Sequence, residues 1–277
     1  MLDTLLFPFA FPFMQNAFFI ALMISVPTAL LSCFLVLKGW ALMGDAVSHA
    51  VLPGIVLAYI LGLPLIVGAF LAGMITATAT GYLTENSRIK QDTIMGVVFS
   101  GMFGLGIVMF VAVKTNVHLD HVLFGNMLGI GPEDLWTAGI IGLVVTVLLL
   151  AKWKDLLLHA FDPIQAKASG LPVNMLHFGL LTVLSLTIVA TLTATGLILA
   201  VGLLIAPGAI AFLMTRRFSH MMVVAVLVCI VATCGGIYAS FWLDSAPAPT
   251  IILVLTGFFI IAFIWRSWKV RRASAMA

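Results

Sequence analysis

An all-α integral membrane protein, a polytopic bundle of eight to nine transmembrane helices with one short cytosolic helix between spans, is what three features of this sequence predict. The first is composition: 63% of the 277 residues are hydrophobic and 8% are charged, against about 25% charged in soluble domains, and the mean hydropathy is +1.24. The second is segmentation into apolar runs near the ~20 residues that a membrane-spanning helix needs. The third is segregation of lysine and arginine to alternate connections, the mark of membrane orientation.

Taken in order, residues 1–16 are aromatic and broken by Pro8 and Pro12, which predicts an interfacial segment rather than a span. A basic leader with a small-residue cleavage site is absent from them, so a removable signal peptide is not expected. Spans follow at about 17–37, 45–61, 65–83, 93–113, 136–151, 173–193, 197–215, 221–242 and 250–265. Gly62-Leu63-Pro64 is a turn signal. The segment 45–61 is shorter than a full crossing, so the total is nine if it spans and eight if it is re-entrant. Threading nine spans puts twelve cations on one side (Lys38, Arg88, Lys90, Lys152, Lys154, Lys167, Arg216, Arg217, Arg266, Lys269, Arg271, Arg272) and Lys114 alone on the other. The positive-inside rule then places loop 155–172 and the basic tail 266–277 in the cytosol, and loop 114–135 outside. With no internal repeat, 1–277 reads as one transmembrane domain, multi-pass in a membrane.

The stretch Gly44-Asp45-Ala46-Val47-Ser48-His49-Ala50-Val51-Leu52-Pro53-Gly54 sets a carboxylate and an imidazole among apolar residues. In a helix Asp45 and His49 are i and i+4 and share a face, where an oxygen and a nitrogen can share a divalent cation such as manganese, iron or zinc. Pro53 removes the N–H that would bond to the His49 carbonyl. The other reading is structural: Asp45 as a helix N-cap with Ser48 at its third position.

In the cytosolic loop, Asp162-Pro163 is a helix start and Gly170, with Pro172 beyond, a stop. This short helix either lies on the bilayer or docks into a partner's groove; Ala166, Ala168 and Gly170 are small enough to allow close approach. His118, Asp120 and His121 in the external loop offer either a solvated or partner-contacting surface or a metal entry point. His159, His177 and His220 sit near span ends and read as interfacial. Pro27 and Pro207 are expected to kink their spans, and Gly101, Gly104 and Gly106 suit close helix contact. Cys33, Cys229 and Cys234 lie in apolar runs as packing residues.

Several function classes drop out. The chain has no basic stripe for nucleic acid, no His-Glu-x-x-His and no zinc-site cysteine spacing. One acid and one histidine are too few for a catalytic zinc centre. A transporter driven by an ion gradient remains as the alternative, although such proteins carry more intramembrane acids and histidines.

On Gly44–Gly54, on Asp162-Pro163-x-x-Ala166-x-x-x-Gly170, and on the proline-containing run Gly196–Pro207, the sequence resembles, over nearly its whole length, the membrane permease subunits of manganese/iron/zinc ABC importers of the metal-chelate type. The resemblance implies that Asp45 and His49 are transient ligands in the metal path. It implies that Asp162, Pro163, Ala166 and Gly170 form the ATPase-coupling segment, making the short helix a coupling helix. The partners it implies are a second permease subunit, cytosolic ATPase subunits and an external metal-binding protein, in the cytoplasmic (inner) membrane of a bacterium. The metal is then transported substrate, and no cofactor is permanently bound. No Gly-x-x-x-x-Gly-Lys-Ser/Thr loop is present, so ATP hydrolysis is expected on another chain.

Overall fold

A computed structural model describes residues 7–113, 127, 129 and 131–275. After a 3₁₀ turn at Phe7–Ala10, the chain forms α1 (Pro12–Lys38), α2 (Ala41–Ala50), α3 (Leu52–Leu61), α4 (Leu65–Asn86) and α5 (Gln91–Ala112). There follow α6 (Pro132–Phe161), the short α7 (Pro163–Ala168), α8 (Val173–Thr195), α9 (Leu197–Met214), α10 (Phe218–Leu243) and α11 (Pro247–Ala275). Among the described residues nine helical stretches are long and apolar enough to cross a membrane, with α2 and α3 together making one of 20 residues.

Three boundaries differ from expectation. The first span begins at Pro12, not near residue 17: a proline at the first helical position loses no hydrogen bond, so Pro12 starts the helix that it was expected to prevent. The fifth span runs on to Phe161, so that 155–161 extends the span and the connection is confined to 162–172. Lys152 and Asp155 pair at 3.2 Å where that extension begins. The basic tail, expected as a tail from 266, continues α11 through Ala275.

The bundle is built around α1, whose most apolar window is 72% buried and which packs against α6, α9 and α10. Phe34, Leu31 and Leu35 on it are fully enclosed. α11 lies outside, against α9 and α10. A second group, α2 to α5, joins the first through α8 and α9, both of which touch α2.

Neighbouring helices approach closely at both proline-bearing turns. Pro27 takes away the partner of the Met23 carbonyl; Gly142 of α6 packs so closely there that a Cβ would sit 3.0 Å from that oxygen. Around Pro207, Ser32 of α1 accepts from the Gly208 N–H at 2.8 Å and donates to the Ile205 carbonyl at 3.1 Å. Ser32→Ala removes both of these contacts. The expected cost is about 1–3 kcal/mol, read as a lower thermal midpoint of the purified protein; an unchanged midpoint would show that Ser32 is dispensable.

The glycines of the fourth span divide. Gly106 meets Leu52 and Pro53, whereas Gly101 and Gly104 have nothing within 4 Å of where a Cβ would be. The expectation of close contact therefore holds for Gly106 only.

Candidate metal-path site

The site starts at the end of α1. Gly39 takes a left-handed conformation, φ 69°, and the Gly39 and Trp40 N–H groups close onto the carbonyls of Val36 and Leu35. This left-handed cap turns the chain into α2, which carries Asp45 and His49. α2 ends where Pro53 withholds a hydrogen bond from the His49 carbonyl: only Val51 separates it from α3, and Pro53 sits in the first turn of α3. The segment crosses as two half-helices with the acid and imidazole on the first.

Asp45 and His49 stand on one face, with Oδ1 and Nε2 3.4 Å apart. Asp45 is not a helix cap. The N-cap position belongs to Trp40, and the Ser48 hydroxyl donates to the Asp45 carbonyl at 2.8 Å rather than joining a capping box. The two side chains are 38% and 26% exposed, so the pair is reachable from one side. On the other side His49 packs against Phe99 and Phe103 of α5, with ring centroids 5.6 and 5.3 Å away. Its Nδ1 is buried with no hydrogen-bond partner. A cavity of ≈ 10 Å³ beside it, bounded by Ser48, Leu52, Phe103 and Leu197 among others, has room for about one water molecule.

Among the described residues no group of three or more His, Cys, Asp or Glu side chains comes together. Among the described residues this pair could therefore present at most two side-chain donors to a cation, below the four of a closed zinc site. The remainder must come from water, backbone carbonyls or a second copy. Such an incomplete hard/borderline O,N set suits passage of an ion better than its retention.

The short helix forms as its sequence predicts. Asp162 Oδ1 accepts from the Ile164 and Gln165 N–H groups at 3.0 and 2.9 Å, Pro163 opens α7, and Gly170, φ 79°, follows its end. Ala166, however, points inward and is fully buried, on the side where α7 packs against α6 and α8. The face left open carries Ile164, 83% exposed, with Gln165, Lys167 and Ala168. A six-residue helix fixes Ala166 as the residue that seats it, so Ala166 is not a contact offered to a partner.

His159 also departs from its interfacial reading. It is 3% exposed, and its Nε2 lies 3.0 Å from Lys38 Nζ. Lys38 in turn lies over the Trp40 ring at 4.3 Å, and the His177 ring is 6.1 Å from that of His159. This cluster links the end of α6, three residues before Asp162, to the turn that launches α2. Its only trace in the sequence is a lone cation and a lone imidazole, each at the end of a span. His118, Asp120 and His121 lie outside the described residues. The three cysteines are free thiols.

Comparison with known proteins gives the class of this bundle. The ABC 3 transport family matches residues 10–266. The chain is 54% identical over 274 residues to the chelated iron transport system membrane protein YfeD of Yersinia pestis, covering 98% of this chain and 91% of that one. It is 40% identical to the manganese transport system membrane protein MntC of Halalkalibacterium halodurans, covering 97% and 95%. Among solved structures, PsaBC from Streptococcus pneumoniae in complex with Fab superposes with a TM-score of 0.85 at 35% identity, covering 95% of each chain. The chain belongs to the ABC 3 transport family and is a multi-pass membrane permease subunit of an ABC importer, not itself an enzyme.

Proposed function

We propose that this chain forms the path for a divalent transition metal, manganese or iron, in an ATP-driven importer of the cytoplasmic membrane, with Asp45 and His49 as transient ligands. The observation that carries the reading is the 3.4 Å pair on α2, half open on one side and walled by phenyl rings on the other. The names of the relatives, which include both manganese and chelated iron systems, support the same range of cargo and do not favour zinc. Asp45 contributes charge and oxygen. His49 contributes a nitrogen lone pair, which an imidazole offers only when neutral. A second permease subunit, same or related, supplies further ligands across a two-fold axis, an external metal-binding protein delivers the ion, and ATPase subunits act on α7 from the cytosolic side. The C-terminus is cytosolic in this arrangement, a placement that the distribution of lysine and arginine supports.

The mechanical link is short. Movement of α7 pulls on the end of α6, where His159 meets Lys38, and Lys38 ends the helix whose cap launches α2. Ile164→Asp on the open face of α7 is expected to lower ATPase copurification at least about tenfold, since a carboxylate replaces an apolar anchor in a desolvated contact. Undiminished copurification would move the docking surface elsewhere.

Reconstituting the purified permease–ATPase assembly in proteoliposomes with the external binding protein tests the driving force. Uptake of ⁵⁴Mn or ⁵⁵Fe is expected to need ATP and to survive collapse of the proton gradient. Uptake that persists without ATP and stops when the gradient is collapsed would establish the ion-gradient alternative instead.

A further inference from the structure

A groove outside the metal path lies where α9, α10 and α11 meet. It has a volume of ≈ 470 Å³ and is lined without exception by apolar residues, among them Met214, Leu227, Val231, Phe258, Ile261 and Trp265. That size falls within the ~300–1,000 Å³ of small-molecule pockets. Leu227, Val231 and Ile261 remain more than half exposed, so the groove is open along its side. On α11 it runs from Phe258 to Trp265, about 10 Å of helix, and on α9 it reaches Met214, the last residue of the helix.

The end of the groove at Met214 and Trp265 is crowned by cations. Arg216 and Arg217 follow Met214; Arg266, Lys269, Arg271 and Arg272 follow Trp265. All six are exposed. Arg266 is held at the lip by the Leu213 carbonyl, 3.0 Å from its Nη1, and Lys269 Nζ lies 5.0 Å from the centre of the Trp265 ring. Between Ile205 and Ala277 the only acid is Asp244, which caps the far end of α10. Six of the thirteen lysines and arginines therefore gather at one corner with no carboxylate from these three helices to balance them.

We infer that this groove and its crown form a binding site for an anionic phospholipid, the acyl chain lying against Val231, Phe258 and Ile261 and the phosphate meeting Arg217, Arg266 and Lys269. Lipid is the occupant that the chemistry selects. A side-open apolar groove in a membrane-spanning bundle is filled by hydrocarbon, and a cluster of cations just beyond a span recruits anionic headgroups. Trp265 sits between the two zones, at the level where tryptophan rings favour the interface. Orientation of the chain by its lysines and arginines needs the charge but not the groove, so the joint presence of both separates a built site from a topological signal. This inference does not use Asp45, His49 or transport, and it stands or falls independently of the metal path.

The test is a thermal-shift titration of the full-length permease, purified with the subunits that accompany it, using dioleoylphosphatidylglycerol or dioleoylphosphatidylcholine at equal mole fraction. The expected result is a saturable rise in midpoint with phosphatidylglycerol and none with phosphatidylcholine. Arg217→Gln/Lys269→Gln should weaken the phosphatidylglycerol response at least tenfold, and Val231→Trp, filling the groove at an exposed position, should abolish it without lowering the lipid-free midpoint. If Val231→Trp lowers that midpoint, Leu227→Trp takes its place. Equal responses to the two lipids would assign the groove to bulk lipid and overturn the inference. So would an unchanged response in the charge variant or in the groove variant, or competition by glycerol phosphate as strong as that by the intact lipid.

Discussion

Replacing either Asp45 or His49 with alanine is expected to cut metal uptake by about 100-fold at limiting metal, with permease abundance unchanged. Altering even a group that only supports a metal ligand typically costs ~10–100-fold in affinity or activity, and among the described residues no third His, Cys, Asp or Glu stands beside the pair to take over. Because abundance is held fixed, such a loss is not one of folding, and the ion pair itself adds little to stability. An exposed i,i+4 pair contributes only ~0.3–0.5 kcal/mol to a helix, and both side chains are partly exposed. Asp45→Asn sharpens the distinction, because the amide keeps the size and reach of the side chain beside His49 while losing the charge and the better oxygen donor. It should transport as poorly as the alanine variant if Asp45 is a ligand, and almost normally if Asp45 only steadies His49. The double variant should be little worse than either single one, since groups that act on one ion lose their effect together. Cellular ⁵⁴Mn accumulation, normalised to immunodetected permease, measures all four; normal uptake in both alanine variants would take the pair out of the path.

How much of this was readable in advance follows from the range over which each feature is determined. The shared face of Asp45 and His49 depends on one turn of helix, and a four-residue spacing specifies it. The same is true of the Asp162-Pro163 start and the Gly170 stop, which are local backbone chemistry. What failed to show depends on partners distant in sequence. Ala166 looked available because it is small, yet it is small because α7 must seat itself on α6 and α8. His159 looked interfacial because it ends a span, yet its partner Lys38 ends another, 121 residues earlier. Pro12 was misread for a different reason: a proline's effect reverses between the first turn and the interior of a helix, and composition alone does not fix where the helix begins.

Gly54→Val is expected to prevent accumulation of folded protein, and Gly54→Ala to lower the thermal midpoint clearly. Gly54 closes the stretch that bears Asp45 and His49, but its own role is contact. A Cβ built on it would collide with the Gly68 carbonyl oxygen and lie 2.6 Å from the Ala72 Cβ; a Cβ on Gly68 would collide with the Gly54 carbonyl and lie 2.6 Å from the Ala58 Cβ. The reciprocal Gly54-x-x-x-Ala58 and Gly68-x-x-x-Ala72 surfaces bring the backbones of α3 and α4 together, the small-residue packing that membrane helices use where hydrophobic burial offers no driving force. Overpacking by side chains that can still shift costs about 1–3 kcal/mol. Here the obstacle is backbone on both sides, so valine should reach or exceed the upper figure. Because one residue, Val51, joins α3 to α2, separating α3 from α4 also displaces Asp45 and His49, and the alanine variant should lose uptake together with stability. Gly101→Ala and Gly104→Ala are the controls: each has open space around it, and replacing glycine inside a helix should be neutral or add about 0.5–1 kcal/mol. Fluorescence-detected size-exclusion profiles after graded heating separate these outcomes. A Gly54→Val protein with the wild-type yield and midpoint would mean that α3 and α4 need not approach this closely.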